Sequence, residues 1–406
     1  MYKNNNNVTC VVDGLNLIIN TENGAVAGVS EEELADYNNL DEEAIKDNSD
    51  FYKFLIDNEI LFTEEPKKKP RTIQTAYLHV TNKCNLHCLG CYSENDDRNK
   101  ADDLNTEQFK HILSELKRVQ LTNLVISGGE PLFRKDIAEL MRYAREECDI
   151  KNITLITNGT IDKPEIFSEL SKYLDTIAVS IDTYCSSCPA FLRDEGIFDK
   201  IMRSIDHMKA CGLNVSILPT LHHKNVGKMA DYIKLADKLH TQISFSIFTT
   251  CNSDIYDGYH LDEEDLKLLA EHFSMHDINI EDIPLNNTLE GKKRCGTGCS
   301  MLAIATNGDV YPCHMLMEEQ FKLGSLIEKG ILEIFADSEA TNIANQLDVD
   351  NLSECGQCKY KYLCGGGCRA RAYLKTGDIK KADPFCEMYK GFYENMFDNM
   401  KLKVGV

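Results

Sequence analysis

The sequence predicts an α/β protein: a partial, TIM-like (β/α)6 barrel between a small N-terminal α+β unit and a C-terminal cysteine-rich segment. Three observations carry this. Six strand-length apolar runs alternate with helical periods in the middle of the chain; short apolar runs broken by Asp13-Gly14 and Asn23-Gly24 precede them; and cysteine, glycine and lysine replace regular periodicity from about residue 290 onward. The expected divisions are residues 1–63, 74–285 and 290–406.

In the first part, Val8 to Val12, Leu15 to Ile19 and Ala25 to Val29 read as a small antiparallel sheet, because Asp-Gly and Asn-Gly between apolar runs are turn signals. Ser30 with Glu33 three residues later is a capping-box signature, and Phe51 to Leu61 is a second amphipathic stretch, so helices are expected after the strands. Two prolines among charges, in Glu64 to Pro70, mark a linker.

The barrel strands are expected at Ala76 to Val80, Asn123 to Ser127, Asn152 to Thr157, Thr176 to Ile181, Asn214 to Thr220 and Gln242 to Phe248. Between them Phe109, Ile112, Leu113 and Leu116 share one helical face, and Phe198, Ile201, Ile205 and Met208 another, which stops at Gly212. Six such units curl a parallel sheet toward a barrel, with functional groups at the C-terminal strand ends.

Composition narrows the function. A net charge of -21 repels phosphate backbones and anionic lipid, which argues against nucleic acid and membrane as partners. No run of about 18 apolar residues occurs and the N-terminus lacks a secretory pattern, so a cytoplasmic protein is expected. In a reducing cytosol 17 cysteines do not make a disulfide framework; metal or cluster ligation is the better reading.

Cys84, Cys88 and Cys91 follow the first barrel strand at Cys-x3-Cys-x2-Cys spacing. Three thiolates hold three irons of a cubane and leave the fourth open, whereas structural zinc takes four protein ligands, so a zinc site here needs a distant His or Cys. This loop on a β/α barrel resembles the radical S-adenosylmethionine superfamily. The resemblance implies that the open iron chelates S-adenosylmethionine and that one electron cleaves its sulfonium, giving a 5′-deoxyadenosyl radical that abstracts a substrate hydrogen.

It also implies roles at later strand ends. Gly128, Gly129 and Glu130, before Pro131, end the second strand; the glycines let backbone approach a ligand and Glu130 accepts from the cofactor's ammonium. Asn158, in Thr157-Asn158-Gly159, ends the third strand. Ser180 and Asp182 end the fourth and suit ribose, and Arg193 resembles the family arginine that faces the cofactor's carboxylate. One position departs: the residue before the third cysteine, usually aromatic and packed near adenine, is Gly90, and Tyr92 follows instead.

Downstream, Cys295, Cys313, Cys355, Cys358, Cys364, Cys368 and Cys386 follow a seven-cysteine spacing that resembles the SPASM domain. The resemblance implies two auxiliary [4Fe-4S] clusters, and three clusters in all with the one that binds S-adenosylmethionine. It divides the ligands as Cys295, Cys313 and Cys368 for the first auxiliary cluster and Cys355, Cys358, Cys364 and Cys386 for the second. Cys299, four residues from Cys295, is a candidate fourth thiolate for the first. Zinc ribbons are the alternative. Gly365-Gly366-Gly367 lets the chain fold tightly around a cluster and is no phosphate loop, since no Lys-Ser/Thr follows. Cys10, Cys148, Cys211 and Cys251 read as buried small hydrophobes. For Cys185 and Cys188 a structural or incidental role ranks ahead of a reach into the active cavity.

Relatives with this C-terminal domain act mostly on peptides and proteins. Peptide maturases, which form thioether or carbon-carbon crosslinks in ribosomally made peptides, fit first, because many carry a strand-then-helix unit that binds a leader peptide as an added strand. Binding and chemistry are then expected to be separable by removing the chain before Ile73. Sulfatase-maturase-like oxidation of a Cys or Ser to formylglycine is the alternative; those enzymes usually place an Asp after the cysteine matching Cys313, where this chain has His314. The expected partners are a precursor peptide or protein and an electron donor, a reductase or a flavodoxin or ferredoxin. A zinc-stabilised interaction protein is the non-enzymatic alternative.

Overall fold

A computed structural model of the chain describes residues 1–67, 72–93, 98–100, 102–250, 254–275, 279–280, 289–336, 343 and 346–404. Part of the expected linker, Lys68 to Pro70, and Cys251 lie outside the described residues.

The chain opens with β1 (Tyr2–Lys3), β2 (Asn7–Val12), β3 (Leu15–Asn20) and β4 (Val26–Val29). The last three form an antiparallel meander in which Cys10 faces Leu17 and Ile18 faces Ala27. Asp13 at φ 50° and Gly14 at φ 85° make the first turn, the positive pair that a two-residue hairpin needs. Ser30 caps the helix Glu31–Asn39 through a complete capping box with Glu33. Two further helices, Glu42–Asp47 and Ser49–Asp57, lead to β5 (Leu61–Phe62), which pairs back with β1. Tyr37, Ile45, Phe51 and Leu55 bury themselves against one face of the meander at Ile18 and Ala27.

The other face does not stand apart. Val12, Leu17 and Ile19 belong to the same apolar core as the barrel strands, and Gly291 N–H donates to Gly24 O at 2.8 Å. An ideal Cβ on Gly291 would fall 2.1 Å from Ile19, so the two segments touch backbone to side chain. The meander is therefore part of the central packing, and removing the chain before Ile73 would strip apolar cover from the barrel. The expected division at residues 63–74 is therefore crossed by a shared apolar core.

Strands β6 (Thr75–His79), β7 (Asn123–Ser127), β8 (Asn152–Thr157), β9 (Thr176–Ile181), β10 (Val215–Leu221) and β11 (Gln242–Ile247) run parallel in chain order, each paired with the next, and β12 (Asn279–Ile280) adds to β11. Strand β9 is buried at five of six positions and β10 at six of seven, as expected where both faces of a parallel sheet are covered. The helix Thr106–Arg118 buries Phe109, Ile112, Leu113 and Leu116. The helix Phe198–Ala210 buries Ile201, Ile205 and Met208 but leaves Phe198 only partly covered.

The C-terminal segment returns to this sheet. Strand β13 (Met301–Ile304) runs parallel to β6, with Gln74 and Thr75 N–H groups both donating to Ser300 O, and β14 (Asp309–Tyr311) and β15 (Gly324–Ser325) continue antiparallel. The sheet thus carries the segment after residue 290 to the mouth of the barrel. The chain ends in the helix Cys386–Val404. Among the described residues no helix is long and apolar enough to cross a membrane.

Candidate active site

The loops after the parallel strands enclose a cavity lined by Cys84, Cys88 and Cys91, by Gly128, Gly129 and Asn158, and by Ser180, Arg193 and Tyr92. These residues arrive from four strand ends, which is the geometry a curled parallel sheet imposes.

All three thiols are free and half-buried, and each has a nitrogen donor nearby. Asn158 Nδ2 lies 3.9 Å from Cys84 Sγ, Arg193 Nη1 3.9 Å from Cys88 Sγ, and Arg98 Nη2 3.4 Å from Cys91 Sγ. Burial pushes the Cys88 thiol up to about 11; Arg193 opposes the shift and the neighbouring Cys91 and Cys84 add to it. Three thiolates here repel one another unless a cationic group sits among them, and the surrounding N–H donors suit sulfur ligands. The donor set fits a thiolate-held cluster.

Two residues expected in the cavity stand behind it. Glu130 is fully buried; its carboxylate accepts from Leu132 N at 3.0 Å, Thr157 Oγ1 at 2.8 Å and Asn158 N at 2.7 Å. Burial raises its pKa and these bonds oppose the rise. It ties the end of β7 to the end of β8 and does not line the cavity. Asp182 likewise turns away from the cavity to the backbone N–H groups of Phe191, Leu192 and Arg193, and lines a second hollow with Thr183 and Asp194. It shapes the loop that presents Leu192 and Arg193. In this structure both carboxylates are engaged by neighbouring amide and hydroxyl donors.

The paired glycines also serve the chain itself. Gly128 has φ 124° and an ideal Cβ there would fall 2.5 Å from Thr81 O; at Gly129 it would fall 2.3 Å from Lys83 O. Gly129 and Glu130 N–H groups donate to those two carbonyls, so the turn is bound to the segment that leads into Cys84.

Three cavity residues answer to no expectation of cofactor contact. Phe248, just past β11, presses on Gly90, where an ideal Cβ would fall 2.6 Å from the ring. Gly90, at φ 65°, leaves the space and Phe248 fills it with the aromatic wall that its own position lacks. His314 stacks on Tyr77 with ring centroids 4.0 Å apart and meets the edge of Tyr92 at 5.7 Å; Met315 follows it into the cavity. His314 therefore joins the strand-end cavity to Cys313.

The C-terminal cysteines fall into two groups. Cys364 feels the charges of Cys386 and Cys355, and Cys386 those of Cys358 and Cys355, whereas Cys368 feels Cys313 and Cys295. Burial lifts Cys364 and Cys368 up to about 12 and Cys386 up to about 11. One zinc ion holding four sulfurs at about 2.3 Å brings them to within about 4 Å of one another. Among the described residues the one set of His, Cys, Asp or Glu ligand atoms gathered within 4.8 Å is His223, Asp262 and Asp265. No three of these thiols form such a set. Gly365, Gly366 and Gly367 are all left-handed, at φ 67°, 84° and 68°, which only glycine adopts in succession without strain.

The remaining cysteines divide. Cys148 is buried, Cys10 and Cys211 are half-buried, and Cys185 and Cys188 form a disulfide beside the second hollow.

Residues 78–236 match the model of the Radical SAM superfamily, and residues 295–359 match the SPASM iron-sulfur cluster-binding domain. The chain belongs to the radical SAM superfamily and carries a SPASM domain. As such it is an enzyme that uses S-adenosylmethionine, a [4Fe-4S] cluster and auxiliary clusters. It is 27% identical to the AdoMet-dependent heme synthase of Methanosarcina barkeri, over 76% of this chain and 94% of that one. It is 25% identical to the mycofactocin maturase of Mycolicibacterium smegmatis, over 76% and 81% respectively. Among solved structures, anSMEcpe with bound AdoMet superposes with TM-score 0.67 at 19% identity, over 82% of this chain and 96% of that one. SuiB of Streptococcus suis bound to precursor peptide SuiA superposes with TM-score 0.62 at 16% identity, over 94% and 100%. At these identities the last two show the fold.

Proposed function

We propose that this radical SAM–SPASM enzyme is a maturase of a ribosomally made peptide. The observation that carries the reading is the meander of residues 1–63, whose outer strands β2 and β4 are sheet edges, packed beside a barrel whose mouth gathers Cys84, Cys88 and Cys91. An edge strand binds an extended leader through main-chain hydrogen bonds, and the barrel mouth receives the residue to be changed. The mycofactocin maturase relative and the fold match to SuiB with its precursor peptide support the same reading.

In this reading Cys84, Cys88 and Cys91 hold the cluster that binds S-adenosylmethionine. Bound there, the pair supplies one-electron cleavage of a sulfonium and hydrogen abstraction from substrate. Gly128, Gly129, Asn158, Ser180, Arg193 and Tyr92 bind and orient the cofactor, with Phe248 as an aromatic wall; Glu130 and Asp182 fix the loops behind them. Cys355, Cys358, Cys364 and Cys386 hold one auxiliary cluster. Cys295, Cys313 and Cys368, with Cys299, hold the other. The residue at 314 is histidine, which argues against the formylglycine chemistry that an Asp there serves. A flavodoxin or ferredoxin, or a reductase, supplies electrons in the cytoplasm.

The test is anaerobic incubation of the reconstituted enzyme with precursor peptides encoded beside its gene, read by mass spectrometry. A crosslinked peptide together with 5′-deoxyadenosine supports the reading, and the Cys84→Ala, Cys88→Ala, Cys91→Ala variant should form neither. Heme formation with no peptide change would instead place the enzyme with its heme-synthase relatives.

A further inference from the structure

Arg371 and Asp383 are an ion pair with both side chains 2% exposed, inside the C-terminal cysteine segment. Arg371 Nε and Nη2 donate to Asp383 at 3.0 and 2.8 Å, and Nη2 also to Tyr389 OH at 2.9 Å, with Phe385's ring 4.4 Å from the guanidinium. Nη1 is buried and has no protein partner. A buried guanidinium N–H without an acceptor is costly, so the site asks for an acceptor that the polypeptide does not supply.

What lies beside it is Cys368. That residue precedes the helix Arg369–Thr376, which places Arg371 one turn away, and its own N–H donates to the same Asp383 carboxylate. Cys368 packs against Cys313 and Ala370 in one small cluster, which places the helix that carries Arg371 beside those thiols.

We propose that Arg371 tunes the auxiliary cluster held through Cys368, its unpaired Nη1–H and fixed charge favouring the reduced form. Adding an electron adds negative charge, and a fixed cation in a low-dielectric interior stabilises that state more than water does. Asp383 anchors the guanidinium and partly offsets its charge, so the pair sets a potential between the two extremes. Arg371 acts on the cluster's electron affinity and needs no contact with substrate. The proposal rests on the assignment of Cys368 as a ligand, and the experiment separates the two.

The experiment is an EPR-monitored redox titration of the iron-loaded protein in which Cys84, Cys88 and Cys91 are replaced by Ala, leaving the auxiliary signals. Arg371→Gln should lower one midpoint, by a shift on the order of tenfold in the one-electron equilibrium or about 59 mV. Arg371→Lys should stay near the parent, and Asp383→Asn should move the same midpoint upward. Unchanged midpoints in Arg371→Gln at full iron content overturn the proposal; if that variant fails to load iron, an unmoved midpoint in Asp383→Asn overturns it. Cys368→Ala, which should lose one auxiliary signal, tests the ligand assignment alone.

Discussion

The two places where this chain gathers cysteines are built on opposite principles. At the barrel mouth, long buried strands set the positions, and two buried carboxylates fix the loops: Glu130 joins two strand ends and Asp182 holds three consecutive amides. In the segment from residue 289 to Phe385, the longest described helix has eight residues and the longest described strand four. Charge is buried there too: Arg369, Arg371 and Asp383 are all covered, and Nε of Arg369 and Nη1 of Arg371 lack protein partners, as Nε of Arg98 does at the barrel mouth. A site on regular structure is formed before its cofactor arrives. A segment with little regular structure and unanswered buried charge takes its shape from the group it binds.

Metal removal tests this contrast most severely. Stripping iron should leave the barrel's far-UV circular dichroism largely intact while the C-terminal segment becomes the first site of proteolysis. Metal-coupled folding in small domains is worth on the order of 10 kcal/mol. Replacing Cys84, Cys88 and Cys91 together by Ala should shift the unfolding midpoint little, because those thiols are half-exposed loop residues. Equal losses of structure in the two cases would erase the distinction.

Glu130 tests the barrel side. Its carboxylate answers three donors at 0% exposure, so Glu130→Ala should cost roughly 3 kcal/mol in denaturant unfolding. Glu130→Gln should cost less, since one carbonyl oxygen still accepts, but its amide then faces the Asn158 or Thr157 donor. If Glu130 instead contacted the cofactor's ammonium, the Gln variant would lose S-adenosylmethionine affinity with stability unchanged, and equilibrium dialysis beside the unfolding curve distinguishes the two.

The contrast also explains what could be read in advance. Apolar runs at strand length mark β7, β8 and β9 to the residue, because alternating or continuous burial over five or six residues leaves a local signature. The pairing of β13 with β6 leaves none: it depends on Ser300 O meeting two N–H groups from a segment far back in the chain. In the site, the cysteine spacing is local and legible. The partners of Asp182, Phe191 to Arg193, are not legible, because they lie in a loop whose path the sequence does not show. Phe248 was missed as a cavity wall because its counterpart is an absence, the Gly90 side chain, on a distant strand end.

The meander touches both regions, and Asp13 is where it meets the cysteine segment. Its carboxylate receives Lys359 Nζ at 2.5 Å and Tyr360 OH at 2.7 Å, from residues between Cys358 and Cys364. Lys359 holds the Asp13 carboxyl below its usual range, so the stability this adds is complete above the unfolded carboxylate's pKa and is lost as pH falls through the lower folded value. Lys359 is 45% exposed, which screens the ion pair; with the tyrosine hydroxyl, the loss in Asp13→Ala should be about 1 kcal/mol. The functional consequence follows from geometry. The tip of the β2–β3 hairpin is tethered to the thiols of one proposed cluster, so loosening it shifts the leader-binding edge relative to the barrel mouth. Asp13→Ala should therefore raise KM for the precursor peptide several-fold while S-adenosylmethionine cleavage without peptide stays at the parent rate. Asp13→Glu, which keeps the charge, should recover part of the loss. A fall in uncoupled cleavage equal to the fall in peptide turnover would mean that the tether supports the whole molecule and not the placement of the peptide.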